Sequence, residues 1–450
     1  MTEEVDVVVV GLGPGGEEVA GRLAEAGLSV VGVEERLVGG ECPYFGCVPT
    51  KMMVRAADLV AEARRIPGLA GDATVTPDWA PVAARIRDEA TDDWDDKVAV
   101  ERFVGKGGRF VRGRGRLTSP GQVTVGDAVF QARRGVVLAT GTYPAVPPIV
   151  GLAATPYWTN RDAVRATEVP ASLLVLGGGA IGLEMAQVFA RFGTDVTVVE
   201  ALDQLLAVEE PETSALVEKV LTAEGLQVRT GAAASEVRHD GAQFTMVLDG
   251  GEALTAERLL VATGRRTDLD GLGVASVGLD PTAKALPVDD RLSAGPGVWG
   301  VGDVVGKGAF THVAMYHAAI VVREILGEDG PPADHRALPR VTFTDPEIGA
   351  VGQTEAAARK AGVRVRVGHT DLASSARGWI HRAEGFIKVV EDADRGVLVG
   401  ATSAGPSGGE VLSGLAIAVH GEVPVERLRH MIYAYPTFHR AIEAALADLS

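Results

Sequence analysis

A glycine-rich motif that follows a short apolar strand occurs twice in this chain. The first copy occupies residues 7–34 and carries Gly-Leu-Gly-Pro-Gly-Gly, and the second occupies residues 173–200 and carries Gly-Gly-Gly-Ala-Ile-Gly. In both copies a strand, the glycines, a helical stretch, a second strand and a glutamate follow one another at the same spacing. One such motif is a weak signal, but two in register predict two βαβ units that bind dinucleotides.

Each glycine of such a motif, and the acidic residue that ends it, has a physical task. The first glycine permits the tight turn, the second lets backbone amides approach a pyrophosphate, and the third lets helix and strand pack closely. The helix N-terminus faces the phosphate charge, and the terminal carboxylate accepts hydrogen bonds from ribose hydroxyls. We therefore predict dinucleotide contacts at Gly11, Gly13, Gly16 and Glu34 in the first copy and at Gly177, Gly179, Gly182 and Glu200 in the second.

Further segments extend the duplication and divide the chain. Two similar apolar strands end in Ala-Thr-Gly, at Gly141 and at Gly264, and each is expected to deliver its glycine to a ligand crevice. A Pro/Gly-rich stretch at 327–339 is typical of a linker. The fold class predicted is α/β, with two Rossmann-like domains and a C-terminal α+β domain. The expected domains are 1–150, 151–270, 271–335 (a return to the first domain) and 336–450.

The first copy contains an insertion that reads as charged helix. We expect helices near 52–66 and 82–103, with the acidic cluster Asp92–Asp96 on a solvated helix face. In the C-terminal part we expect strands at 385–391 and 397–404 and helices at 408–420 and 437–448.

Charge and composition exclude several classes of protein. The chain has 60 acidic and 43 basic residues, for a net charge of −17, which argues against a nucleic-acid partner. Its apolar stretches are too short for a membrane span, and no signal peptide precedes the first strand, so we expect a cytoplasmic protein with no membrane partner. With two cysteines, a four-thiolate zinc site is excluded, and we predict no resident metal.

Those two cysteines, Cys42 and Cys47, form a C-x4-C pair downstream of the first motif. Pro43 and Gly46 bend the chain so that the sulfurs can meet, and Thr50-Lys51 are expected to open a helix whose N-terminal field favours a thiolate at Cys47. Two unrelated buried cysteines are the alternative interpretation. The position of the pair beside a nucleotide fold favours a redox-active disulfide.

On these motifs, in this order and over essentially the whole length, the chain resembles the class I pyridine nucleotide-disulfide oxidoreductases. That family includes dihydrolipoyl dehydrogenase, glutathione reductase and mercuric reductase. The resemblance implies that the first motif binds FAD and the second NAD(P)H, with Gly264 near the nicotinamide nucleotide. It implies further FAD contacts at Gly115, Gly141, Gly302, Asp303 and the stretch Ala309–His312. It also implies a homodimer that shares its active site across the interface.

The resemblance implies a path for the electrons as well. Hydride passes from nicotinamide to flavin, and the reduced flavin opens the Cys42–Cys47 disulfide. Cys47 is then the thiolate beside the flavin, and Cys42 is the nucleophile that faces the acceptor. Lys51 matches the family lysine near flavin N5, and Glu184 matches its ion-pair partner.

The C-terminal motif departs from the family pattern. Family disulfide reductases carry His-Pro-Thr-x-x-Glu, whose histidine is the general acid and base for thiol exchange, whereas this chain has Tyr435 and Arg440 at the two dyad positions. Tyrosine is a poor proton shuttle at neutral pH, so lipoamide or glutathione chemistry is not expected. His439 could replace the histidine from one turn along the helix, or lie at a surface or interface. The chain also lacks the C-terminal cysteine pair of mercuric reductase.

Two further features bear on specificity. No arginine occurs from Glu200 to Glu210, so a 2′-phosphate would meet a carboxylate, and NADH should be preferred over NADPH. Pro43-Tyr44-Phe45 stand where relatives carry an aliphatic residue and asparagine, and these rings either shape a different acceptor pocket or pack under the flavin.

The leading hypothesis is an FAD- and NAD(P)H-dependent reductase that passes electrons through the dithiol to a small acceptor: a soft metal, a quinone or an unusual disulfide. The alternatives are a flavin-dependent dithiol oxidase that uses oxygen and a nucleotide-sensing flavoprotein without significant turnover.

Overall fold

The computed structural model describes residues 2–450. Its strands are, in chain order, β1 (Thr2–Val10), β2 (Val30–Glu34), β3 (Arg109–Arg112), β4 (Gly115–Ser119), β5 (Gln122–Val125), β6 (Ala128–Leu138), β7 (Tyr143–Pro144), β8 (Ser172–Leu176), β9 (Asp195–Val199), β10 (Gln227–Arg229), β11 (Ala234–His239), β12 (Phe244–Leu248), β13 (Ala253–Ala256), β14 (Arg258–Val261), β15 (Arg265–Arg266), β16 (Ser293–Gly295), β17 (Val298–Gly300), β18 (Pro339–Thr342), β19 (Glu347–Gly352), β20 (Val365–Asp371), β21 (Phe386–Asp392) and β22 (Val397–Gly405).

The α-helices are, in the same order, α1 (Pro14–Glu25), α2 (Glu41–Tyr44), α3 (Cys47–Arg64), α4 (Ala80–Arg85), α5 (Lys97–Gly105), α6 (Asn160–Val164), α7 (Ala180–Arg191), α8 (Pro211–Ala223), α9 (Leu269–Leu272), α10 (Thr311–Leu326), α11 (Glu355–Lys360), α12 (Ala376–His381), α13 (Gly408–His420), α14 (Val425–Arg429) and α15 (Ala441–Ala447). Ile86–Ala90 form one π-helical turn, and short 3₁₀ turns include Gly302–Val305. None of the helices in residues 2–450 is long and apolar enough to cross a membrane. A cytoplasmic location stays a prediction.

The chain divides into two compact units, of which the first comprises residues up to Met52, Pro81–Ala145 and Gly264–Asp334. Its main sheet has the order β16-β17-β6-β1-β2-β3, and β17, β6, β1, β2 and β3 run parallel. The valines of β1 are buried on both faces of the sheet, as expected for a central parallel strand. One face packs on α1 and α10, and the other is covered by β4 and β5.

The second unit comprises Met53–Ala80, Val146–Thr263 and His335–Ser450. It contains a four-stranded parallel sheet, β10-β9-β8-β14, and a three-stranded antiparallel sheet, β11-β12-β13. A five-stranded antiparallel sheet, β18-β19-β22-β21-β20, packs its apolar face on α13 and α15. The predicted domain boundaries at 150, 270 and 335 stay predictions.

Several expected helix positions are wrong. The helix expected at 82–103 is broken into α4, the π-helical turn and α5, and Asp92–Asp96 lie in the turn before α5. Asp92, Asp93 and Trp94 all adopt left-handed backbone angles, which cannot continue a right-handed helix. The helix expected to open at Thr50-Lys51 already begins at Cys47. The C-terminal helix begins at Ala441 instead of 437, because residues 437–441 form turns with i→i+3 bonds: the backbone N–H groups of Arg440 and Ala441 donate to the carbonyls of Thr437 and Phe438.

Candidate active site

The two glycine motifs have the same local geometry, each within its own unit. Gly11 and Gly177 have φ angles of 92° and 114°, and a Cβ atom would lie 2.5 Å from the Ala139 carbonyl oxygen and 2.4 Å from that of Ala262, respectively. A side chain is therefore excluded at both positions by conformation and by space.

The other glycines complete the comparison. A Cβ on Gly16 would lie 2.0 Å from the carbonyl oxygen of Gly11, and one on Gly182 would lie 2.2 Å from that of Gly177. By contrast, a Cβ on Gly13 or Gly179 would meet nothing within 4 Å. Space is thus left open at the middle glycine, where a pyrophosphate approaches, and closed where the helix packs.

The helices that follow these glycines are suited to bind anions. α1 and α7 begin directly after Gly13 and Gly179. Since both N-cap residues are glycines, no N-cap side chain occupies the hydrogen-bond donors at the start of either helix. Pro14 has no N–H, so the first backbone donor of α1 is that of Gly15, whereas the first donor of α7 is that of Ala180. The helix dipole favours negative charge at both N-termini. Both sites therefore fit the phosphates of a dinucleotide.

The two acidic residues hold their own loops. Glu34 accepts the backbone N–H groups of Leu12 at 2.9 Å and Arg36 at 2.7 Å. Glu200 accepts those of Gly178 at 2.6 Å and Leu202 at 2.8 Å. Burial raises the pKa of Glu34 even though both hydrogen bonds favour its charged form. Since carboxylate oxygens have further lone pairs, the predicted ribose contacts at Glu34 and Glu200 are compatible with these bonds and stay predictions.

The first unit places other predicted FAD residues around Asp303. The Asp303 carboxylate accepts the Thr142 hydroxyl at 3.0 Å, and Arg265 donates to the hydroxyl and the carbonyl of Thr142, each at 2.7 Å. Burial raises the pKa of Asp303, and the Arg265 charge opposes that rise. Gly141 and Gly302 flank this group with φ angles of 64° and 76°. The arrangement fits the predicted hydroxyl-rich ribityl chain, because a carboxylate accepts hydroxyl protons readily.

Three other residues predicted to contact a cofactor are Gly115, Ala309 and Gly264, and each has a different environment. A Cβ on Gly115 would lie 2.8 Å from a Val10 methyl, so this glycine is needed for close packing of the sheet. Ala309 is exposed just before α10, and Gly264 has a φ angle of 108° next to Arg265. Their cofactor contacts stay predictions.

The two cysteines are brought together as free thiols. The Glu41 carbonyl accepts the backbone N–H groups of Phe45 at 2.8 Å and Gly46 at 2.7 Å, which closes the turn between the cysteines. Cys47 opens α3, and its Sγ lies 3.3 Å from the Thr311 hydroxyl oxygen. The Cys42 and Cys47 side chains hydrogen-bond to each other.

The surroundings of the two thiols separate their acidities. The hydrogen bond with Cys42 lowers the pKa of Cys47 to about 6, helped by Thr311 and the Lys51 charge and opposed by burial. The same hydrogen bond, together with burial, raises the pKa of Cys42. At neutral pH these shifts favour a thiolate at Cys47 and a protonated thiol at Cys42. The roles that the resemblance gives the two cysteines in the electron path stay predictions.

Thr311, Thr142 and Arg265 were not singled out by sequence reasoning. Thr311 lies inside the stretch predicted to contact FAD, and Arg265 directly follows Gly264, so their neighbourhood was indicated but not their partners. Only the fold brings Thr311 to Cys47 across 264 residues of sequence.

The other predicted catalytic residues belong to different elements. Lys51 lies on α3 in the first unit. Glu184 lies on α7 in the second unit, 5% exposed, and accepts the Phe343 backbone N–H at 2.9 Å. Their predicted ion pair stays a prediction.

The C-terminal motif presents its tyrosine to solvent. Tyr435 is 70% exposed, with the Arg440 guanidinium over its ring at 5.8 Å from the centroid, and Arg440 also pairs with Glu443 at 2.9 Å. His439 packs on the Tyr433 ring at 5.1 Å and lies before α15, so the expectation that it sits one turn along a helix is wrong.

A fold with two dinucleotide sites, one of them built next to a dithiol, defines a nucleotide-dependent thiol oxidoreductase. Residues 5–318 match the family described as pyridine nucleotide-disulphide oxidoreductase, and residues 338–446 match the dimerisation domain of that family. The chain belongs to this family, which confirms the resemblance, the fold class and the enzyme class predicted from the sequence.

Several relatives are similar over nearly their whole length. The chain is 34% identical to dihydrolipoyl dehydrogenase of Thermus scotoductus, over 98% of this chain and 97% of the relative. It is 32% identical to mercuric reductase of Streptomyces lividans, over 98% and 95%. Among solved structures, RclA of Escherichia coli, an HOCl-induced flavoprotein disulfide reductase, is similar with a TM-score of 0.84 and 26% identity over 99% of both chains. A mutant of RclA solved as a Cu(II) complex gives a TM-score of 0.86 and 25% identity, over 98% of this chain and 99% of that one.

Membership settles the cofactors and the general activity. The enzyme uses FAD and a nicotinamide nucleotide in a flavin-dependent disulfide oxidoreductase reaction. The matched dimerisation domain supports a homodimer.

Proposed function

We propose that this enzyme is an NADH-dependent flavoprotein reductase whose Cys42–Cys47 dithiol reduces a thiophilic metal ion, with Cu(II) as the first candidate. The observation that carries the proposal is the combination of a complete dithiol, with Cys47 held as a thiolate, and a C-terminal motif without the histidine and glutamate of disulfide exchange. Bound FAD would supply the electrons from the nicotinamide nucleotide to the cysteines.

A metal ion needs less proton transfer than a disulfide. Reduction of a disulfide substrate gives two thiols, and a general acid accelerates that step by about 10²–10⁴-fold. Reduction of Cu(II) to Cu(I) takes one electron and no proton at the metal. Two Cu(II) ions together therefore return the dithiol to the disulfide, and the one proton of Cys42 is released to solvent. Thiolates are also preferred ligands of Cu(I). A mutant of RclA, a flavoprotein disulfide reductase with a similar structure, was solved as a Cu(II) complex, and this supports the choice of Cu(II) as the first candidate.

Within the site, the chain's own residues have distinct proposed tasks. Thr311, Lys51 and the Cys42 S–H hold negative charge at the Cys47 sulfur. Cys42, the partner that keeps its proton at neutral pH, is proposed to meet the acceptor. Asp303, fixed by Thr142, is proposed to hold the ribityl chain, and Lys51 and Glu184 are proposed as the pair near the flavin ring.

The preference for NADH rests on Glu200. Its carboxylate is fixed at the second motif by two backbone N–H groups and would face a 2′-phosphate with like charge. The arginine-free stretch to Glu210 offers that phosphate no cation from the same loop.

The test is a panel of acceptors measured by NADH consumption: Cu(II), Hg(II), a quinone, lipoamide and oxidised glutathione. We expect Cu(II) reduction to be lost in Cys42→Ser, whereas quinone reduction, which can proceed from the flavin directly, should persist. Lipoamide turnover at a rate comparable with Cu(II), or equal Cu(II) reduction in wild type and Cys42→Ser, would contradict the proposal.

The same preparation separates the alternatives. A dithiol oxidase would form peroxide from a dithiol and oxygen without nicotinamide, and a nucleotide sensor would show negligible turnover with every acceptor. The ordered thiol pair favours a reductase over a nucleotide sensor, because sensing a nucleotide does not require a low-pKa thiolate.

A further inference from the structure

The acidic turn Asp92–Asp96, expected from the sequence to be a solvated helix face, lies against the cysteine loop. Trp94 Nε1 donates to the Tyr44 carbonyl oxygen at 3.1 Å. In return, the Tyr44 hydroxyl faces the Asp95 carbonyl at 3.5 Å, which is long for a hydrogen bond. Since Tyr44 stands between Cys42 and Cys47, the turn holds the loop that carries both thiols.

A second contact ties the same turn to the chain that leads into this loop. Asp96 is 7% exposed and accepts the Val38 backbone N–H at 2.7 Å. Arg112 donates to both oxygens of Asp96, at 2.8 and 2.6 Å, and also to the Arg36 carbonyl. The segment from Arg36 to Tyr44 is therefore held at both ends by residues 94–112.

The backbone of the turn is strained. Asp92, Asp93 and Trp94 have φ angles of 48°, 53° and 58° in succession. This conformation is disfavoured for residues other than glycine, and such strain persists only where the surroundings determine it. Trp94 is the last of the three residues with left-handed backbone, and its indole N–H donates to the Tyr44 carbonyl. The strained turn is therefore the element that brings this donor to the cysteine loop.

The held loop sets the position of Cys42. Tyr44 is the last residue of α2, whose first carbonyl, that of Glu41, closes the turn to Phe45 and Gly46. Cys42 lies on this single helical turn, and its sulfur contacts Cys47, the first residue of α3, and Thr311, the first residue of α10. A shift of the helical turn Glu41–Tyr44 would therefore move the Cys42 sulfur relative to Cys47 and Thr311.

We infer that Trp94 is a positioning residue for the redox dithiol, acting through the Tyr44 carbonyl to keep Cys42 in hydrogen-bonding reach of Cys47. The inference rests on the proposed role of the dithiol and adds a residue remote from the cysteines in sequence. It predicts that loss of the indole N–H weakens the stabilisation of the Cys47 thiolate without removing either cysteine.

The test compares Trp94→Phe with wild-type holoenzyme, each reduced anaerobically by two electrons. The readout is the long-wavelength absorbance of the Cys47 thiolate next to flavin, followed as a function of pH. The charged or titratable neighbours that act on Cys47 are Cys42 and Lys51, which both variants retain. We expect the thiolate-to-thiol ratio at a given pH to fall roughly threefold to tenfold in Trp94→Phe, as for the loss of one hydrogen bond.

Matched variants keep the result interpretable. Trp379→Phe makes the same substitution at a tryptophan that is 76% exposed, and it should leave the pH midpoint unchanged. Trp94→Tyr also removes the indole N–H, and it serves as the test if Trp94→Phe does not fold. Tyr44→Phe keeps the carbonyl that accepts the indole N–H, and it should leave the pH midpoint close to that of the wild type.

The outcomes separate the inference from the proposed function. A Trp94→Phe protein with lower thermal stability but an unmoved midpoint would show a merely structural role and overturn the inference. An unmoved midpoint in Trp94→Tyr would overturn it where Trp94→Phe cannot be obtained. If the wild type itself lacks the thiolate absorbance, the dithiol function fails first, and the inference fails with it.

Discussion

The two nucleotide motifs agree in more than their glycines. After Glu34 the chain turns back, and Gly39 donates its backbone N–H to the Leu12 carbonyl at 2.7 Å. After Glu200 it turns back in the same way, and Leu206 donates to the Gly178 carbonyl at 2.9 Å. Both donors have left-handed backbones, with φ angles of 106° and 47°. The same device thus closes both loops onto equivalent carbonyls, although one uses glycine and the other leucine.

The copies diverge directly after this closure. In the first, Gly40 follows with a φ angle of 69°, and a Cβ there would lie 2.9 Å from the Gly13 Cα atom. The chain then enters the Cys42 turn, so the dithiol is built in contact with the phosphate-binding loop. In the second, the loop carries the exposed apolar side chains Leu202 and Val208 and no reactive group. The glycine loop that both copies share fits a dinucleotide. The segment that follows it carries the two cysteines only in the first copy, so only the first nucleotide site lies next to the dithiol.

Removing Cys47 abolishes the dithiol that distinguishes the first copy from the second, and we expect it to have the largest effect on activity of the substitutions considered. In Cys47→Ser no Cys42–Cys47 disulfide can form to receive electrons from the reduced flavin, so we expect Cu(II) reduction to fall at least about 10³-fold, as for loss of an essential catalytic residue. The second site does not involve Cys47, so flavin reduction by NADH should persist. Stopped-flow flavin reduction and steady-state Cu(II) reduction measure the two steps, and loss of both together would contradict the division of labour.

Matched substitutions at the middle glycines should separate the two cofactors. Gly13→Ala and Gly179→Ala each add a methyl to space free of protein atoms, so both proteins should fold with unchanged stability. The methyl displaces a phosphate from its amide donors, and we expect roughly 10–100-fold weaker FAD binding in Gly13→Ala and a similar rise in KM for NADH in Gly179→Ala. FAD content and KM are the measurements, and an exchange of the two phenotypes would reverse the cofactor assignment.

The pH dependence should distinguish the copy with the dithiol from the copy without it. The lowered pKa of Cys47 means that the thiolate is present above about pH 6 and is lost as pH falls through that value. The long-wavelength absorbance of the two-electron-reduced enzyme should therefore decline below about pH 6, approaching tenfold per unit. Reduction of flavin by NADH in Cys47→Ser should lack this inflection, and a midpoint near the ordinary thiol value would contradict the described surroundings of Cys47.

Local pattern predicted much of this molecule. The two motifs, the returning strands that end in Leu138 and Val261, and helix α13 follow from apolar runs and glycine spacing, which act over a few residues. The contacts of the dithiol did not follow, because Thr311 and Trp94 reach the cysteine loop from distant segments. Asp92–Asp96 were misread for a related reason: an acidic run is usually solvated, and nothing in it indicates left-handed backbone or a buried Asp96.

Neutralising the acidic residues should give the smallest effect and test whether the equal geometry of Glu34 and Glu200 serves different ligands. Glu200→Gln keeps acceptors for a ribose and removes the charge that would face a 2′-phosphate, so the NADH-to-NADPH ratio of kcat/KM should fall about threefold to tenfold. Glu34→Gln is the matched control. The Glu34 carboxylate also accepts two backbone N–H groups. Loss of this carboxylate should weaken FAD retention and leave the NADH-to-NADPH ratio of kcat/KM unchanged. The ratio of the two nicotinamide nucleotides, measured with saturating FAD, decides the matter: a change in Glu34→Gln and none in Glu200→Gln would assign the nicotinamide nucleotide to the first site.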